Sequence, residues 1–335
     1  MGRSKRLKNI HSVFKDKAKI IKAKFSITNH TTSSIQIAVL RATTRSARSP
    51  PHDHLISALV SFSHTTRHSA FACITTIINR LHHHHQPNAY VALKSLITLH
   101  HMIKGGSFVL LEQISSIQST STTSFGFLNL SRFVDDTDIQ SREFSLWAQW
   151  YACFLKNNLS TSTIIRCHLS LTVSEIEKNK EKLKFSLYID LFKEIEALVS
   201  TVEEITRAPN LPHCRKNDIV YEVTRLVGED YRMIQYHTMI RLTELSDRIK
   251  NFSIQELNTL TRCLERLERC KDRLTELFAN RMRNEAFWDL ETELMAKLRR
   301  LKDAKEVKLV SWKMIEYETA STQLKNQLVV ASRPL

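Results

Sequence analysis

The chain has 335 residues, 42% of them hydrophobic, and its 49 Lys and Arg against 34 Asp and Glu give a net charge of +15. That length and apolar fraction can fill a sizeable core and exclude an intrinsically disordered chain. Only 5 Gly and 6 Pro are present, too few for the turns of a strand-rich fold, so an all-α chain is expected.

The charge gathers at one end. Within residues 1–24, Arg3, Lys5, Arg6, Lys8, Lys15, Lys17, Lys19, Lys22 and Lys24 face Asp16 alone. Residues 25–105 add Arg41, Arg45, Arg48, Arg67, Arg80, Lys94 and Lys104 against Asp53, so the first 105 residues carry +14 of the +15. A field clustered in this way attracts polyanions, either nucleic acid or an anionic membrane. A solvated basic surface without a ligand is the plain alternative. Leu7, Ile10, Phe14, Ala18, Ile21 and Phe25 step by three and four through the first segment and form one helical stripe, with lysines on the other faces. Two outcomes fit this pattern: a helix lying among lipid headgroups, or a first helix docked on the core. Under the first, Lys8, Phe14, Lys15, Lys19 and Lys22 are the membrane-associating residues. Myristoylation at Gly2 wants Ser or Thr where Arg6 stands, and a mitochondrial presequence wants Arg where Lys predominates, so neither is expected.

From residue 55 onward helical segments follow one another, broken by "HHHHQPN" (82–88), "STSTTSFG" (119–126) and "APNLPHCRKN" (208–217). Asp53 is the expected N-cap of "HDHLISALVSF", and Asn88 that of "NAYVALKSLITLHHMI" (88–103). The latter is apolar nearly all round, so it belongs among neighbours, with His100 and His101 as core or groove histidines. The consecutive residues His82 to His85 cannot converge on one ion as ligands at i and i+4 do, and no metal is expected. Leu257, Leu260, Leu264, Leu267, Lys271, Leu274 and Phe278 form a late stripe with a Lys in its seam, which favours packing in a helical stack over a coiled coil. Helical patterning continues over 286–328, and 329–335 read as a short tail.

Catalytic signatures are absent: there is no phosphate-cradling Gly-rich loop, no nucleophile elbow and no H-E-x-x-H. The adjacent acids Asp135 and Asp136, and Glu203 and Glu204, diverge on a helix and are expected to be solvated. No enzyme and no cofactor are expected. The six cysteines form no CxxC, follow no secretory signal and read as reduced thiols. No apolar run approaches the roughly 18 to 20 residues of a membrane span, so any membrane contact is peripheral. The basic third lacks the interleaved aromatics of single-strand readers, so no nucleic acid is expected and membrane phosphoinositide is the favoured polyanion. A helical scaffold whose basic end binds RNA is the alternative of another class.

Several blocks, in order, are familiar. "VLRATTR" (39–45), "VALKSLITLHHMIKGG" (91–106), "LNLSRFVDD" (128–136) and the aromatic "FSLWAQWYACFL" (144–155) resemble segments of the ANTH domain of CALM-class clathrin assembly proteins. "LVGEDYRMI" (226–234) and "LERLERCKDRLTEL" (264–277) are similar to the plant members in particular. The resemblance spans about residues 8 to 320. It implies a superhelical α-solenoid of ENTH/ANTH type: a basic N-terminal segment over 1–25, a lipid-binding helical part over 26–162, a C-terminal helical part over 163–328 and the tail.

By the same resemblance, Arg41 takes the first basic position, Arg45 stands where a His is usual, and His54 matches the His before the next helix. Two further basic positions fall on Pro51 and Asp53 in a gapless match, or are shifted by a one-residue deletion. Arg48 and His52 remain as compensating candidates. The implied role is a peripheral adaptor, a monomer, that binds phosphatidylinositol 4,5-bisphosphate on cytosolic leaflets. It would act in clathrin-coated pits and vesicles, the Golgi being a further membrane, with clathrin, adaptor proteins and vesicle SNAREs as partners. The chain shows no DLL, DPF or NPF peptide, which favours, as an alternative, a lipid- or cargo-binding module without coat assembly.

Overall fold

The computed structural model describes residues 17–18, 20–21, 30–45, 49–82, 88–105, 108–119, 126–167, 169, 180–211, 213–278 and 285–331, and among them no strand occurs. Helix α1 (His30–Ala42) leads into α2 (Asp53–Thr65) and α3 (Arg67–Leu81). His52, not Asp53, occupies the N-cap of α2, and its side chain makes no cap bond. Asp53 is instead the first helical residue, where a carboxylate still complements the positive end of the helix dipole. The start of α3 is capped by Thr66 Oγ1, which accepts from the Ser69 N–H at 3.1 Å.

Helix α4 (Ala89–Lys104) is capped as the sequence predicts, the Val91 N–H donating to Asn88 Oδ1 at 3.0 Å. A second cap comes from far along the chain: the Ala89 N–H donates to Asp135 Oδ2 at 2.9 Å. Asp135 is therefore buried, against the expectation of a solvated acid, because two orphan donors at a buried helix start need acceptors. Glu204 is likewise buried, while Glu203 pairs with Arg266.

α5 (Phe108–Ser119) is followed by the long aromatic α6 (Ile139–Ile164), capped by Asp138. Trp147, Trp150, Tyr151 and Phe154 all point inward, Trp147 and Trp150 edge to face at 5.5 Å. Helix α6 ends without glycine. Arg166 takes a left-handed φ of 51°, the Cys167 N–H reaches Ser162 O and the Arg166 N–H reaches Thr163 O, the paired bonds of a Schellman turn.

The second half consists of α7 (Tyr188–Thr206), α8 (Asp218–Arg248), α9 (Ile254–Phe278) and α10 (Glu285–Ala331). Ser253 and Glu256 bond reciprocally at the start of α9, a capping box. The buried stripe of α9 uses Cys270 where Lys271 was expected; Lys271 lies on the surface with its ammonium 5.2 Å from the Trp288 ring centroid. A charged seam is thereby avoided, and the cation meets an aromatic face instead.

Neighbour packs on neighbour: α1 with α2 and α3, α4 with α6, α6 with α7, α7 with α8 and α9, and α9 with α10. One continuous apolar core runs from Ile35 to Leu298. This is an all-α stack of helices. Among the described residues no helix is long and apolar enough to cross a membrane.

Candidate functional site

The basic site expected near residue 41 is built on the end of α1. Ile35, Ala38, Val39 and Ala42 turn their side chains into the core, and helical periodicity then leaves Arg41 exposed on the last turn. Thr43 continues the turn, its N–H and its hydroxyl both donating to Val39 O, at 2.9 and 2.7 Å. Arg45, two residues on, is half-buried.

Two buried cations brace this turn from behind. Arg80 of α3 donates from Nε to Thr43 Oγ1 at 3.0 Å and from its NH2 group to Thr43 O at 2.8 Å. Lys94 of α4, only 1% exposed, donates to Thr44 O at 3.3 Å. Carbonyls at a helix C-terminus lack intrahelical donors and carry partial negative charge, so cations are favoured there. The chain thus spends two positive charges on holding the turn that displays two others.

Past the turn, Pro51 is buried, while His52, Asp53 and His54 are exposed at the start of α2. The two imidazoles stack, with centroids 5.8 Å apart and planes inclined by 16°. Arg41, Arg45, His52 and His54 therefore stand on one connection, α1 to α2, together with the uncapped start of a helix. Guanidinium, imidazole and helix N–H groups all suit multivalent phosphate; Asp53 opposes it. Arg48 lies outside the described residues, as do Lys8, Phe14, Lys15, Lys19 and Lys22.

Sequence reasoning missed Arg80 and Lys94 because it counted them only as charge. The available signal was position: each interrupts an apolar helical run, and a cation on such a face must find an acceptor. Burial pushes the Lys94 ammonium down to about 8. Between that value and the ordinary lysine pKa of about 10.4, the unfolded chain holds a proton that the folded chain has released, so this group makes stability rise with pH across the window. Comparing urea unfolding of wild type and Lys94→Met at about pH 7 and about pH 10 should show wild type gaining on the variant at the higher pH, other titrations cancelling. A constant difference would mean that Lys94 is not desolvated.

His82, His100 and His101 make structural contacts. His82 donates from Nε2 to Phe127 O at 2.7 Å. His100 is a core histidine, between Tyr151 and Asp230, and His101 faces Glu222 at 3.1 Å in a partly exposed groove. Burial alone would raise the Glu222 carboxyl, but Arg225 and His101 outweigh it and hold it at about 2.

A family model of the ANTH domain matches residues 34–283. The chain belongs to the ANTH domain family. Three Arabidopsis thaliana proteins, each described as a "putative clathrin assembly protein", resemble it along most of their length. The first is 35% identical over 310 residues, covering 90% of this chain and 84% of the relative. The second is 30% identical over 306 residues, covering 88% and 87%. The third is 28% identical over 280 residues, covering 81% and 92%. The ANTH match begins within α1 and so takes in the whole Arg41 to His54 connection.

Proposed function

We propose that this ANTH domain is a peripheral membrane adaptor whose α1–α2 connection takes the phosphorylated headgroup of phosphatidylinositol 4,5-bisphosphate on a cytosolic leaflet, in the service of clathrin coat assembly and vesicle budding. The observation that carries this reading is the braced turn: buried Arg80 and Lys94 hold the Thr43 and Thr44 carbonyls, and exposed Arg41, half-buried Arg45 and the His52 and His54 pair stand beside them. Clathrin as partner rests on the relatives' descriptions, and coated pits and vesicles follow as the location. The helical surface over 286–328 is the part offered to vesicle SNARE cargo, with the Golgi as a further membrane.

The direct test is co-sedimentation of the full chain with vesicles containing or lacking phosphatidylinositol 4,5-bisphosphate, at matched surface charge, with RNA as competitor. Selective, RNA-resistant binding is expected. Binding that follows total charge alone, or that RNA abolishes, would overturn the headgroup reading.

Each basic side chain near an anionic leaflet contributes about 1 kcal/mol. Arg41→Ala combined with Arg45→Ala removes about 2 kcal/mol and should therefore weaken vesicle binding by about thirtyfold while leaving the protein folded. Asp53→Lys should strengthen it, since a like-signed group replaces the one acid on the connection. Unchanged binding in the double variant would move the contact to the N-terminal segment.

A further inference from the structure

Where α6 meets the turn before α8, three dissimilar side chains converge. Glu143 lies in the second turn of α6, and His213 and Cys214 stand at the short 3₁₀ turn (Cys214–Lys216) just before α8. Glu143 Oε2 is 2.8 Å from His213 Nε2 and 3.7 Å from Cys214 Sγ, and all three donor atoms lie within 4.8 Å of one another.

We infer that Glu143, His213 and Cys214 form a binding site for one zinc-type dication that ties α6 to the turn preceding α8. The donor set selects the ion. A thiolate, an imidazole and a carboxylate suit zinc and its d-block neighbours, whereas calcium and magnesium seek oxygen alone. Charge agrees, since thiolate and carboxylate together neutralise a dication and the imidazole binds as the neutral ring. Bonds of about 2.0 to 2.3 Å at tetrahedral angles place donor atoms about 3.3 to 3.6 Å apart, so no pair needs to change by more than about 1.3 Å.

The scaffold supports such a centre. The Cys214 N–H donates to Leu211 O at 3.0 Å, the Asn217 N–H donates to Cys214 O at 2.9 Å, and Asn217 caps α8, so the thiol sits on a fixed turn. Cys214 is buried, Glu143 is partly exposed and the His213 side chain is 61% exposed, which gives the ion a path from solvent and the imidazole room to swing. A fourth position is left for water. Sequence spacing could not reveal the site, because His213 and Cys214 are adjacent and their third partner is seventy residues away.

Cobalt(II) titration of the reduced full-length chain tests this. One equivalent should produce a thiolate-to-cobalt charge-transfer band in the near ultraviolet and the intense visible bands of a tetrahedral centre, both removed by zinc. Imidazole ligation elsewhere on the chain would give no thiolate band. Cys214→Ser should abolish the band. Loss of even an outer hydrogen-bond partner costs metal affinity about 10 to 100-fold, so Glu143→Gln should weaken zinc binding by at least about tenfold. Zinc should raise the melting temperature of wild type, raise that of Glu143→Gln less and leave that of Cys214→Ser unchanged. The absence of a thiolate band, its survival in Cys214→Ser, or an equal zinc shift in all three proteins would overturn the assignment.

Discussion

Asp230→Ala is expected to destabilise the fold by about 3 to 5 kcal/mol. Against a total stability of about 5 to 15 kcal/mol for a native protein, that is a large fraction. Asp230 is 1% exposed and accepts from three side chains on two helices: His100 Nε2 of α4 at 2.8 Å, Asn158 Nδ2 of α6 at 2.7 Å and, on its other oxygen, Lys104 Nζ, also of α4, at 3.4 Å. His100 Nδ1 in turn lies 2.7 Å from the Tyr151 hydroxyl. Alanine leaves a buried imidazole and a buried amide without their acceptor, and desolvated groups of that kind are not rescued by water, whereas Lys104 keeps Glu229 at 2.8 Å. Urea unfolding monitored by circular dichroism measures the loss, and a value below about 1 kcal/mol would mean that the cluster rearranges around the gap. Because His100 and Asp230 act as a unit, His100→Ala in the Asp230→Ala background should cost less than it does alone, by about 0.5 to 3 kcal/mol.

The pH dependence of that cluster has a definite sign. Burial would raise the Asp230 carboxyl, but the attraction and hydrogen bond of His100, then those of Lys104, outweigh it and hold the group below its ordinary value. A depressed carboxyl contributes stability that is complete above the unfolded pKa of about 3.9 and is lost as pH falls through the folded value. Acid unfolding therefore draws on Asp230, and Asp230→Asn should unfold over a shallower pH range in acid than wild type does.

Local chemistry made much of the fold legible. Asn88 capped its helix as the sequence indicated, the apolar segment over 88–103 became the central α4, and "FSLWAQWYACFL" supplied the aromatic face against it. Asp135 and Asp230 were illegible for one reason: each satisfies donors 46 and 130 residues away, and a buried acid looks like a solvated one until its partners are placed. The shift from Lys271 to Cys270 in the α9 stripe is a matter of register, since steps of three and four leave either residue plausible until α10 lays Trp288 beneath the lysine. At the candidate site, the resemblance gave Arg41, Arg45 and His54 as motif positions and His52 as a compensating candidate. The residues that hold the turn were not legible, because a buried cation contributes to net charge in the same way as an exposed one.

Arg80 is where stability and membrane binding should be coupled. Arg80→Ala removes both donors to Thr43, leaves its carbonyl and hydroxyl oxygens buried at the negative end of α1, and opens a cavity in α3. The combined cost is about 2 to 4 kcal/mol. It should also weaken binding to phosphatidylinositol 4,5-bisphosphate vesicles by about tenfold, because Arg41 and Arg45 flank the released turn, although a buried guanidinium cannot itself meet a headgroup. Arg80→Lys keeps the charge but not the planar fork that reaches two acceptors at once, so it should fall between wild type and Arg80→Ala in both assays. If Arg80→Ala lost stability yet bound vesicles as wild type does, the geometry of the turn would be irrelevant to the membrane contact. The N-terminal lysines would then carry it. A parallel loss in both assays, recovered in part by lysine, is what a turn preorganised by its own buried cation requires, since the exposed arginines would otherwise have to be ordered at the moment of binding.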